Sequence, residues 1–97
     1  MKLHYYGGSE TQLSSYEFES FSIDGKTLLV QCSGLFGVTL ANGEINNPSV
    51  ILLTDGVYHR FVLEDFKVST NHIGQLLVDE AVINTIAKEI EAYLIHK

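Results

Sequence analysis

Runs of apolar and β-branched residues alternate with Asx-Gly dipeptides along the first two thirds of the chain. Asp24-Gly25, Asn42-Gly43 and Asp55-Gly56 each lie between two such runs. An Asx-Gly pair in this position is a strong signal for a β-hairpin, because these residue types tolerate the positive φ angles of tight hairpin turns. The pattern therefore predicts a meander of short antiparallel strands.

Turn-forming segments set the bounds of the predicted strands. The first strand is predicted to stop at Gly7-Gly8-Ser9, and Asn46-Asn47-Pro48 is predicted to form a turn because proline fixes φ and restricts the residue before it. The predicted strands cover residues 3–6, 16–23, 27–33, 38–41, 50–54 and 57–64, with 66–70 and 74–78 as two further candidates.

The hairpin around Asp24-Gly25 can form in two registers. A two-residue loop sets Glu19 opposite Val30, which places a carboxylate beside an apolar side chain. A three-residue loop over 24–26 sets Glu19 opposite Gln31 instead. The second register separates polar from apolar positions better, so it is the predicted one.

The hairpin around Asp55-Gly56 is apolar on both faces. A two-residue loop places Val50 opposite Phe61 and Leu52 opposite His59 on one face. The other face carries Ile51, Leu53, Tyr58, Arg60 and Val62. Strands that are apolar on both faces are typically covered on both sides, so this hairpin is predicted to be central in the sheet.

A helical period begins near Asp79, which suits the N-cap position, with Glu80 favourable in the first turn. The apolar stripe at 100° per residue comprises Val82, Ile83, Ile86, Ala87, Ile90, Tyr93 and Leu94. Ile95 lies outside this stripe, beside two alanines, and is a candidate for a small exposed contact surface.

The predicted fold is α+β. It consists of an antiparallel meander of about five to seven strands, curled or closed into a small barrel. One C-terminal amphipathic helix, about 79–95, packs on it. The 97 residues are predicted to form a single domain, because one core commonly serves about 100–150 residues.

The charge balance excludes one class of partner. Lysine and arginine total 6 against 12 aspartates and glutamates, for a net charge of −6. Binding to a phosphate backbone needs a cluster of basic side chains, and the sequence has no such cluster. Direct nucleic-acid binding is therefore not expected. A basic protein partner fits this charge, although acidity that serves solubility alone would give the same composition.

The sequence offers little for metal, cofactor or membrane binding. Cys32 is the only cysteine, and the four histidines show no metal-ligand spacing. No run reaches the roughly 18 apolar residues of a membrane span, and no signal peptide is recognisable. A cytoplasmic protein without cofactor or metal is expected, with Cys32 buried in phase with Leu28 and Val30.

Two residues of the central hairpin are the candidates for chemistry. His59 shares a face with Val57 and Phe61, where a hydrogen-bonded core histidine is more common than a general base. Arg60 lies on the opposite face near Glu64 and Asp65. It is expected to form a cross-strand ion pair, and the alternative is an anchor for a planar anion.

A patch of carboxylates, with one aromatic residue and one arginine, is the predicted partner-binding surface. Glu17 and Glu19 share one strand face, and Glu64 and Asp65 follow the central hairpin. The predicted set comprises Glu17, Glu19, Tyr58, Arg60, Glu64 and Asp65.

The leading functional hypothesis is a small non-enzymatic protein-binding module. An acidic inhibitor fits best, such as an immunity or counter-defence protein that blocks a basic partner like a nuclease toxin. A structural or assembly subunit is the alternative, because 45% hydrophobic residues in so small a chain would also suit a homodimer or larger oligomer. A small ligand-binding protein or enzyme with its site near His59 or Arg60 is a third possibility.

Overall fold

The fold is given by a computed structural model that describes residues 1–11, 18–32, 43–71 and 75–96. This part of the chain contains seven strands and one helix. They are β1 (Lys2–Ser9), β2 (Phe18–Ile23), β3 (Lys26–Gln31), β4 (Glu44–Asn46), β5 (Ser49–Thr54), β6 (Val57–Glu64), β7 (Lys67–Ser69) and α1 (Glu80–His96).

Five of the strands form one antiparallel sheet in the order β1-β6-β5-β3-β2. A second sheet consists of β4 and β7 alone. The predicted α+β class is confirmed. Within the described residues β1 and β2 stand at opposite ends of the five-stranded order, so the sheet is open and not closed into a barrel.

The helix covers one face of the large sheet, as the sequence predicted. Its buried residues join side chains of β3, β5 and β6 in one apolar core. The buried residues of this core are Leu28, Val30, Ile45, Val50, Leu52, Phe61, Leu63, Val68, Ile83, Ile86, Ala87 and Ile90. The helix starts directly after Asp79, whose carbonyl accepts the backbone N–H groups of Val82 and Ile83 at 3.1 and 3.2 Å, as expected of an N-cap residue.

The central position of the Asp55-Gly56 hairpin is also confirmed. Strand β5 is the middle strand of the sheet, and the two-residue loop pairs Thr54 with Val57. Ile51 and Leu52 point to opposite faces because side chains alternate along a strand. Each is only 1% exposed, so both faces of the sheet are covered at this strand.

The predicted register of the first hairpin is wrong. Strands β2 and β3 pair through a two-residue turn, with Ile23 opposite Lys26 and Glu19 opposite Val30. Asp24 and Gly25 have φ angles of 49° and 77°, which suit the tight turns that match strand twist. The sequence argument rejected this register because it places the Glu19 carboxylate beside the apolar Val30. The structure tolerates this neighbour because the carboxylate accepts a backbone hydrogen bond, as described below.

Strand β1 is longer than predicted. It continues through Gly7-Gly8 to Ser9, and the pairing with β6 shifts between Tyr5 and Gly7. The shift is a β-bulge, and Gly7 adopts a φ of 104° there, a conformation that glycine takes without steric cost. The glycines therefore bend the strand and do not end it.

The candidate strand over 66–70 is confirmed as β7, but β4 and its pairing with β7 were not predicted from the sequence. Strand β4 follows Asn42-Gly43 directly, and its Ile45 lies opposite Val68 of β7. Next to this sheet Thr70 donates two hydrogen bonds to the Gly43 carbonyl, from its backbone N–H at 2.7 Å and its hydroxyl at 2.8 Å. The predicted strand over 38–41 lies outside the described residues. The described part of the predicted strand over 74–78 forms only an isolated bridge, between Leu76 and Thr70.

Candidate functional site

The structure does not hold the predicted partner-binding residues together. Glu19 lies on the sheet face that α1 covers, and its Oε2 accepts the backbone N–H of Leu76 at 3.2 Å. This carboxylate therefore already accepts a hydrogen bond within the fold. Glu17 lies outside the described residues.

Three of the predicted residues do share one surface. Tyr58, Arg60 and Glu64 alternate along β6 with Phe61 and Leu63, which are fully buried under α1. They therefore point to the sheet face away from the helix. Arg60 is exposed, whereas Tyr58 and Glu64 are half-buried. The spacing of two residues predicted this shared face correctly.

Arg60 does not form the expected ion pair. Within the described residues no carboxylate lies within salt-bridge distance of its guanidinium, and Glu64 is paired elsewhere. On the neighbouring strands it stands opposite Ile51 and Gly7. The guanidinium is therefore available for a planar anion or a carboxylate of a partner.

Glu64 pairs instead with His4 on the adjacent strand β1. His4 Nε2 and Glu64 Oε2 form a hydrogen bond and an ion pair at the surface. The hydrogen bond from His4 lowers the pKa of Glu64 below its usual value, the charge of His4 adds to this, and Lys2 contributes a smaller effect. The pair keeps Glu64 ionised and fixes it at the outer strand.

Asp65 belongs to a separate turn at the end of β6. It has a φ of 58°, and its backbone N–H donates to Asn47 Oδ1 at 3.1 Å. Asn47 in turn donates its own N–H to the Phe66 carbonyl at 2.9 Å. The two turns thus fix each other. With Asn46 and Lys67 these residues line an open polar depression of about 440 Å³.

His59 behaves as the core histidine that the sequence suggested. It is half-buried, and its Nδ1 shares a hydrogen bond with the Tyr5 hydroxyl at 2.9 Å. Tyr5 also packs against Phe61 and Tyr93, with ring centroids 4.9 and 5.6 Å away. His59 and Arg60 point to opposite faces of the sheet, so the two do not build one site.

A second acidic surface lies at the hairpin-turn end of the large sheet, and the sequence reasoning missed it. Strand β3 pairs with β5 so that Thr27 stands opposite Leu53. This pairing brings the turns at Asp24 and Asp55 to the same end of the sheet. The register between the two hairpins was needed to find this surface, and no local motif encodes it.

The last turns of α1 meet that same end. Lys26 Nζ and Glu91 Oε1 form an ion pair at 3.2 Å between the sheet and the helix. They lie beside an open depression of about 230 Å³. The depression is lined by Lys26, Leu52, Thr54, Asp55, Glu91, Leu94 and Ile95.

Two expectations about special chemistry can be compared with the described part of the chain. No group of three or more histidines, cysteines and carboxylates is placed there to hold a metal ion. Cys32 is half-exposed, so the prediction that it is buried is wrong. It immediately follows the last residue of β3, where the alternation that buries Leu28 and Val30 no longer applies.

No helix among the described residues is long and apolar enough to cross a membrane.

Comparison with known proteins gives no assignment. No protein-family model matches the sequence, and no curated protein or solved structure is significantly similar to it.

Proposed function

We propose that this chain is a small non-enzymatic module that binds a basic protein. The observation that carries the proposal is the placement of its excess carboxylates. Asp24, Asp55 and Asp65 are exposed, and each sits in a turn with positive φ. The three carboxylates are therefore presented to solvent by tight turns of the backbone.

The few cations do little to neutralise these turns. Lys26 is paired with Glu91, and Lys67 is paired with Glu44 at 3.4 Å. Among the described residues none of the three turn aspartates forms an ion pair. The resulting negative field attracts and orients a basic partner.

An inhibitor is the form of this function that we favour. An immunity or counter-defence protein that blocks a nuclease toxin has to cover a surface that binds phosphates, and exposed acidic groups complement such a surface. We place this activity in the cytoplasm, where a chain with a single cysteine and no disulfide framework is common.

A structural or assembly subunit is the second candidate. An open apolar depression of about 300 Å³ lies beside the first two turns of α1. Met1 and Phe66 line it together with Ala81, Val82, Thr85 and Ile86. A second copy of this chain or another subunit of an assembly would bury this surface, and the carboxylates would then serve solubility alone.

Affinity capture from the native cell followed by mass spectrometry tests the proposal. The tagged chain should recover a protein with a basic surface, and the complex should weaken as salt is raised. The variant Asp24→Lys/Asp55→Lys should recover less of it. Glu80→Lys/Glu89→Lys, at two exposed positions of α1, changes the net charge by the same amount and serves as the control. Recovery of only this chain, in a salt-resistant oligomer, would favour the assembly role and contradict the proposal.

A further inference from the structure

We propose that the turn end of the molecule is a docking surface for a basic segment that carries one apolar anchor. The surface is defined by the turns at Asp24 and Asp55, by the Lys26–Glu91 ion pair, and by Leu94 and Ile95. This inference rests on the proposed function and names the surface and the chemistry of its partner.

The apolar part of this surface is a small depression with an exposed side chain at its rim. Leu52, at 1% exposure, is fully buried beneath it, whereas Ile95 is 75% exposed. Ile95 has the largest exposed fraction among the described large hydrophobic side chains. A depression of about 230 Å³ has room for one apolar side chain of a partner. That side chain would bury Ile95 on docking.

The rim of the depression is negative. Asp55 and Glu91 of α1 line the depression together with Lys26. Asp24 stands in the neighbouring hairpin turn, with φ of 49° against 52° at Asp55. Lys26 is held by Glu91 at 3.2 Å, which leaves the two aspartates to attract a cation. A partner with lysines or arginines around its anchor matches this rim.

A comparison with the other apolar depression of the described structure shows why a basic segment fits the turn end. The depression at Met1 and Val82 is lined by apolar side chains and one threonine, without a carboxylate. It has no charge preference and points to no particular partner. The turn end combines an apolar depression with exposed carboxylates, and this combination favours a basic segment with one apolar anchor.

Nuclear magnetic resonance of the full chain, titrated with a defined peptide, tests this surface. The probe is a short peptide with one leucine flanked by lysines. Two control peptides replace either the leucine by glycine or the lysines by glutamate. Amide shifts caused by the probe should concentrate at 24–26, 54–56 and 91–96, and both control peptides should cause clearly smaller shifts. Shifts that map elsewhere, no shifts at all, or equal shifts with the glycine peptide would overturn the inference.

Two variants at exposed positions test the role of Ile95 without removing a buried side chain. Ile95→Ser should weaken binding of the probe by about tenfold, as expected for loss of an interface anchor. Leu77→Ser changes a side chain that is also largely exposed, at 60%, and should leave binding unchanged. Equal effects of the two variants would contradict a role for Ile95.

The outcomes separate this inference from the proposed function. If a basic partner is captured in a salt-sensitive complex but Ile95→Ser captures it as well as Leu77→Ser does, the proposed function stands and this surface is wrong. If no basic partner is captured, the proposed function fails, and the peptide titration still decides whether the surface binds a basic segment.

Discussion

The Glu19 carboxylate accepts the backbone N–H of Leu76 at 3.2 Å, across 57 residues of sequence. This hydrogen bond links strand β2 to the segment that precedes α1. It also explains the register of the first hairpin, because it gives a charged side chain a partner on the face that it shares with Val30. Within this structure Glu19 therefore has a stabilising role.

Replacing Glu19 by alanine should destabilise the fold. The Leu76 N–H is partly buried and would lose its acceptor, and a lost partner of this kind typically costs about 1–3 kcal/mol. Urea unfolding followed by circular dichroism measures the change. Glu89→Ala, at an exposed helix position, is the control and should change stability by less than about 0.5 kcal/mol. Equal stability of the two variants would show that the contact contributes nothing.

Hairpins and the helix could be predicted because their signals are local. Asp55-Gly56 determines its own turn, and the spacing of Ile83, Ile86 and Ile90 determines a helical face. The small sheet could not be predicted in this way. The segment over 66–70 was a candidate strand and contains β7. Its partner β4 has only three residues and ends in the predicted turn over 46–48, so no local signal indicated the pairing.

The candidate site also has features that follow from local patterns and features that depend on distant contacts. The alternation along β6 correctly placed Tyr58, Arg60 and Glu64 on one face. The turn end was missed because it depends on how one hairpin pairs with the other, with Thr27 opposite Leu53. The position of Glu19 was also missed, because the group that satisfies it comes from a distant backbone segment.

Two isoleucines of α1 provide a matched test of the helix packing. Ile90 is fully buried, whereas Ile95 is 75% exposed. Ile90→Ala should cost about 2–5 kcal/mol, because it removes buried apolar area and leaves a cavity. Ile95→Ala should be nearly neutral to folding. Denaturant midpoints for both variants decide the matter, and similar midpoints would contradict the helix orientation described above.

Two glycines with positive φ should differ in their tolerance of alanine. Gly43 and Gly56 have φ of 78° and 75°, so any Cβ at either position carries a strain of about 1–2 kcal/mol. At Gly43 the Cβ would also lie 2.7 Å from the Thr70 carbonyl oxygen, whereas at Gly56 nothing lies within 4 Å. Thermal unfolding should therefore show a larger loss for Gly43→Ala. An equal loss would mean that Gly43 and Thr70 are not in close contact.

The His4–Glu64 pair should make stability depend on acid pH. Because the folded pKa of Glu64 is lowered by His4, the pair stabilises the fold above the ordinary glutamate pKa. That contribution is lost as the pH falls through the folded value. In His4→Ala the pKa of Glu64 should rise back towards the usual range. Carboxyl-carbon resonance titration follows it directly, and an unchanged pKa would show that His4 is not the cause.

Tyr58 and the turn carboxylates should affect partner binding through different rates. Exposed charges act at long range, so Asp24→Lys/Asp55→Lys should mainly slow association. Tyr58→Ala should instead speed dissociation if its half-buried ring becomes a desolvated anchor in the complex. Surface plasmon resonance with the captured partner separates the two rates. Changes in the same rate constant for both variants would contradict this division.

The salt dependence of the association rate with that partner tests the central claim most directly. If the exposed turn carboxylates attract a basic surface, the association rate of the wild-type chain should fall steeply between about 50 and 500 mM salt, where screening shortens the range of exposed charges. The Asp24→Lys/Asp55→Lys variant should show a shallower fall. An association rate that does not change with salt, or a partner that proves to be DNA or RNA held through its phosphates, would contradict the account.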